Sequence, residues 1–170
     1  NPFSVSVSHI DPTISTLAEL PLRKLSDFSV VILANVRELP IGYELELESF
    51  VLRGGALIFG MGNQIDAKYY NEKLGNLLPI TLKAIQNIEK THLLFKTTEH
   101  PVMRAFSTKA IEEMKEIAFH SIYTIQARDE KNFKIANWFT NQNPAVIEND
   151  SGKGKIIVFL SSLDREWNEF

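Results

Sequence analysis

Phe28-Ser-Val-Val-Ile-Leu-Ala-Asn35 is a continuous β-branched and aliphatic run, and Gly54-Gly-Ala-Leu-Ile-Phe-Gly-Met-Gly-Asn63 carries a second one. Runs without polar alternation mark strands buried on both faces. Between them, Pro40 is placed to be the first residue of a helix running to about Arg53. Leu45, Leu47, Phe50, Val51 and Leu52 give that helix an imperfect apolar face. Glu44, Glu46 and Glu48 load its early turns, where the helix dipole favours acids. Gly54-Gly55 ends it. Ala56–Phe59 is the next strand, and Gly60-Met61-Gly62-Asn63 is the turn after it. A helix from Asp66, a good N-cap, to about Leu77 follows. Strand, helix, strand, turn and helix make a βαβα unit, which implies parallel strands.

Working outward, Ser4–Ser8 alternates Val5 and Val7 with serine and reads as a short strand, with an edge position compatible with that pattern. His9–Leu25, with Pro12 and Pro21, reads as mixed loop and short helix. On the other side, His92–Lys96, Ser121–Ala127, Phe133–Thr140 and Ala145–Glu148 are strand candidates between polar turns. Thr108–Lys115 suits a short helix, and Lys155–Ser161 is the last buried strand. Gly152-Lys153-Gly154 suits a hairpin turn with Lys153 at its tip. Trp138 and Phe139 are consecutive in a strand and so face opposite sides.

The expected plan is one α/β domain over residues 1–170: a flavodoxin-like three-layer sandwich with a mostly parallel central sheet and an antiparallel extension. The start at Asn1 without Met, and the stop at Phe170 just after an ordered-looking motif, suggest a piece of a longer protein. A chain of 170 residues buries roughly 70% of the surface it exposes when unfolded, enough to need neither metal nor disulfide. It has no cysteine, which excludes thiolate chemistry. The net charge is −3 and the basic residues are scattered among acids, against nucleic-acid binding. No apolar run approaches the ~20 residues of a membrane span.

In order, VVILANV (Val30–Val36), LESFVLRGGALIFG (Leu47–Gly60), Tyr69-Tyr70-Asn71, Leu78-Pro79, His100-Pro101, NPAVIE (Asn143–Glu148), GKGKIIVFL (Gly152–Leu160) and LDREW (Leu163–Trp167) resemble the class I glutamine-amidotransferase-like domain. The set is similar to that domain in bacterial membrane proteins of the aerotolerance (Bat) type, which carry transmembrane helices and a von Willebrand factor A region. The resemblance implies a cell-envelope protein, with this domain outside the bilayer and membrane attachment only through regions outside this chain. Partners would then be other domains or envelope proteins, with no cofactor.

In active amidotransferases the nucleophile sits on the turn after a core strand, where backbone N–H groups hold the oxyanion. The matching turn is Gly60-Met61-Gly62-Asn63, and neither Met61 nor a glycine can attack a carbonyl. Asp164 and Glu166 have no histidine beside them. The expectation is therefore a non-catalytic interaction or ligand-binding domain. A hydrolase or carbohydrate-directed enzyme using His and carboxylates is the alternative, and glutamine hydrolysis comes third. A ligand would sit in the crevice at the carboxyl ends of the parallel strands, at Asn35, Gly60, Met61, Gly62 and Asn63. His100 is a further candidate, although before Pro101 it suits a loop-closing hydrogen bond better than a base. His9, His92, His100 and His120 show no HxH or HExxH spacing, so no metal site is expected. Ser161 or Ser162 with a distant His lacks spacing support, and Trp167 beside Asp164 more simply packs on the core.

Overall fold

The computed structural model describes residues 11–95, 107–128 and 134–170. Two short 3-10 turns, Leu20–Leu22 and Leu25–Asp27, lead into β1 (Val30–Ala34), α1 (Tyr43–Leu52), β2 (Ala56–Gly60) and α2 (Ala67–Lys73). Then come β3 (Ile80–Thr91), β4 (Leu93–Leu94), α3 (Thr108–Glu116), β5 (Phe119–Ala127), β6 (Lys134–Phe139), β7 (Pro144–Ser151) and β8 (Gly154–Phe159). The Ser4–Ser8 strand expectation lies outside the described residues.

Six strands form one sheet in the order β1-β2-β8-β7-β6-β4, and β3 pairs with β5 in a second. Only β1 with β2 and β2 with β8 are parallel. The β8–β7, β7–β6 and β6–β4 pairs are antiparallel, as is β3–β5. This overturns the mostly parallel, three-layer flavodoxin-like plan. Among the described residues, parallel pairing is confined to β1, β2 and β8. The tight turn at Gly152-Lys153, between paired Ser151 and Gly154, forces β7 and β8 to be antiparallel. Nor is the second helical layer shown: Val30 and Ile32 on β1 are 47% and 57% exposed.

Alternation explains which side is covered. Val31, Leu57 and Ile156 share one row across β1, β2 and β8, and Leu33, Phe59 and Val158 share another. These belong to one core with Tyr43, Leu47, Phe50 and Val51 of α1 and Tyr70 of α2. A second core gathers Leu93, Phe119, Ile122, Phe139 and Phe159, with the Phe119 ring edge-on to Phe139 and Phe159. Phe139 is thus the core member of the Trp138–Phe139 pair. Strand β8, the last in the chain, lies between β2 and β7.

Three elements differ from expectation. Helix α1 starts at Tyr43, because Gly42 sits at φ 83° and Tyr43 N–H donates to the Pro40 carbonyl, making a turn before the helix. Helix α2 is capped by Asp66, which accepts from Tyr69 N–H at 3.0 Å, but it ends at Lys73. Strand β3 runs twelve residues where none was expected. Its Lys83, Gln86, Asn87, Glu89 and Lys90 obscure the apolar signal. Among the described residues, no helix is long and apolar enough to cross a membrane.

Candidate functional site

The carboxyl ends of β1 and β2 bring Asn35, Gly60, Met61, Gly62 and Asn63 together, as expected from the parallel pairing Ala34 to Gly60. Asn35 occupies the left-handed region at φ 51°. Its amide nitrogen donates to Asn63 Oδ1 at 3.0 Å, and its Oδ1 accepts from Gln64 N–H at 2.9 Å. The Asn35 carboxamide lies over Gly62, where an added Cβ would come within 2.2 Å of Cγ. The same test at Gly60 meets the Leu163 side chain at 2.5 Å. Met61 is fully buried, and its N–H donates to the Phe159 carbonyl at 3.2 Å. The turn's glycines thus admit neighbouring side chains. His100 lies outside the described residues.

Ser161 and Ser162 are buried and spend their hydroxyls on carbonyls, Ser121 at 2.8 Å and Asp164 at 3.1 Å. Asp164 caps its own turn by accepting from Glu166 N–H at 2.9 Å. Trp167 is buried against Tyr123. Among the described residues, no three His, Asp or Glu side chains gather as a metal site would require.

Near the rim is a tyrosine cluster, whose Tyr69 and Tyr70 belong to the motif set quoted above but were given no role in a site. Tyr70 donates to the Val36 carbonyl at 2.6 Å, and Tyr69 donates to Glu44 Oε1 at 2.8 Å while accepting from Leu39 N–H. Burial, then the Glu44 hydrogen bond, pushes the Tyr69 hydroxyl up to about 12. Burial raises Tyr70, Tyr123 and Tyr43 as well. These phenols anchor the loops after β1 and β2 and stay neutral at physiological pH.

Elsewhere, Lys155 on β8 binds both Glu148 and Asp150 on β7. Burial opposes the charge on Lys155, yet the two acids outweigh it and hold its pKa above the ordinary value. The Lys155 hydrogen bond in turn holds the Asp150 carboxyl below its usual range.

Two depressions lie on the surface, one largely apolar and one lined by charged and apolar residues together. A cavity of about 170 Å³ runs along β1, walled by Thr13, Thr16, Leu17, Leu20, Val30 and Ile32. A trench lies between Lys24–Ser26 and the outer face of α1 at Leu45, Ser49 and Arg53.

No family model and no curated protein matches this sequence. Solved structures do share the fold. A cytoplasmic protein of Salmonella typhimurium is similar at 18% identity and TM-score 0.66, over 92% of this chain and 67% of its own. A second cytoplasmic protein of that species gives 16% and 0.65, over 83% and 63%. A β-galactosidase from Bacillus circulans gives 16% and 0.60, over 84% of this chain but 21% of the enzyme. The chain therefore spans about two thirds of the Salmonella proteins and about a fifth of the galactosidase. At such identities the likeness establishes fold alone.

Proposed function

We propose that this chain is a non-catalytic interaction domain of a bacterial cell-envelope protein. The observation that carries the interaction reading is the open flank of β1. Val30 and Ile32 stand exposed in a regular strand beside an apolar cavity, and β1 pairs on one side only among the described residues. Strand edges and contiguous apolar patches of this kind mark protein contacts. The rim, by contrast, spends its polar groups on its own loops. The envelope context rests on the motif resemblance over about residues 28–167 to the aerotolerance-type membrane proteins. There the domain would stand outside the bilayer, held through segments beyond this chain, beside a von Willebrand factor A region.

The test is a photo-crosslinking residue at position 32 of the full-length protein in its native membranes, with position 90 on the exposed part of β3 as control. The expected result is a product specific to position 32 that maps to another domain of the protein or to an envelope protein. Equal labelling at both positions, or turnover of glutamine or glycosides by the purified domain, would overturn the reading.

A further inference from the structure

Helix α1 is apolar on its core side and also exposes two leucines among its outer polar residues. Tyr43, Leu47, Phe50 and Val51 are buried in the core, while Leu45 and Leu52 are 69% and 48% exposed on the other side. Leu45 and Leu52 are seven residues apart, so they stand in line two turns, roughly 10 Å, from each other. Ser49 lies between them, and a small residue there lets another helix approach closely.

The charges beside this stripe are arranged so that the surface complements itself. Glu46 and Arg53 are also seven residues apart and lie on one flank of the stripe, where both line the trench. Neither carries an ion pair among the described residues. Consider a twofold axis passing close to Ser49, perpendicular to α1. It returns an antiparallel copy of the helix, keeps each flank facing the same flank, and inverts position along the axis. Leu45 then meets Leu52 of the second copy, and Glu46 meets Arg53 of the second copy. Glu44 is not used, because Tyr69 already occupies it. Lys24, on the far wall of the trench, adds a second cation facing the incoming acids.

We infer that α1 is a self-complementary docking surface, and that its occupant is the α1 of a second copy of this chain, packed antiparallel about Ser49. An isologous contact needs features to find their complement in the same patch; the leucine pair and the Glu46–Arg53 pair do, while Glu48 on the other flank meets Glu48 of the second copy, a like-charge contact that weakens the dimer. The helix is ten residues, roughly 15 Å long. A contact this short falls below the ~1,200 Å² of a standard stable interface, so the dimer is weak, with Kd on the order of 10–100 μM. This surface is separate from the β1 flank, and the two stand or fall independently.

Sedimentation equilibrium from 5 μM to 1 mM tests it on the chain as it stands. The wild type should shift from monomer to dimer across that range. L45E/L52E should stay monomeric; because Leu52 also lies over the Gly152 turn, L45E alone, at the more exposed side chain, should weaken dimerisation with an unchanged circular-dichroism spectrum. E46R and R53E should each weaken dimerisation about tenfold, and E46R/R53E should restore it, because the swapped charges meet again across the axis. The chain has no cysteine, so S49C carries the only thiol and should form a disulfide-linked dimer on mild oxidation, blocked by L45E/L52E. A wild type that is monomeric at 1 mM would overturn the inference. So would a dimer indifferent to L45E/L52E, or a double charge swap no better than its single variants.

Discussion

Asn35 was legible as a rim residue from its place at the end of a buried strand. Its left-handed backbone was not, because only the assembled turn imposes it. An alanine there would pay ~1–2 kcal/mol for φ 51° and would lose both amide hydrogen bonds. N35A should therefore cost about 2–3 kcal/mol in urea unfolding, and N35G less. G62A should cost about 1–3 kcal/mol, because its methyl displaces the Asn35 carboxamide. N35G/G62A should cost clearly less than the two single changes summed, since both act on one contact; simple additivity would refute this account of the turn. The tyrosines set a pH dependence at the same scale. Their pKa values are raised from 10.0 on folding, Tyr69 to about 12. Folding thus favours the neutral phenol, so this stability is complete below pH 10 and is lost as pH rises towards 12. Denaturant midpoints measured from pH 8 to 12 should be flat at first and then fall, and Y69F should make the fall shallower.

Among the elements, those specified by short-range chemistry were readable and those specified by pairing were not. Asp66 caps α2 where its position said it would, and Gly152-Lys153 turns the β7–β8 hairpin. Strand β3 stayed hidden because most of its outer half faces solvent; it is a strand on account of its long pairing with β5. The parallel sheet was an extrapolation from one crossover to strands whose connections are hairpins. Within that one crossover β1 and β2 do pair in parallel, which brings Asn35 to Gly62. The hairpin base is a sharp test of packing between elements. A Cβ on Gly154 would lie 2.2 Å from the carbonyl oxygens of Gly55 and Val51, backbone atoms that cannot swing aside. G154A should reach or exceed the upper end of the ~1–3 kcal/mol cost of overpacking. K153A, at the exposed tip, should stay within about 0.5 kcal/mol. Thermal melts of the two variants side by side decide it.

At the scale of the whole molecule, the sheet has its latest strand in its middle. β8 joins the parallel half, β1 and β2, to the antiparallel half, β7, β6 and β4. Its Ile156 and Val158 belong to the core that holds α1 and α2, and its Phe159 to the core under Phe119. A chain ending after Ser151 should therefore lose both halves together, showing no cooperative unfolding transition; a sigmoidal melt from that truncation would contradict the joint dependence. The same placement reaches back to the ribosome. β2 is finished at Gly60 and its neighbour begins at Gly154, an interval of roughly 5–20 s at ordinary translation rates. Throughout that time the nascent chain carries an aliphatic strand edge with nothing beside it, and the sheet can close only once β8 has been made. Chaperone dependence during synthesis, rather than stability afterwards, is where the cost of such a layout would be felt.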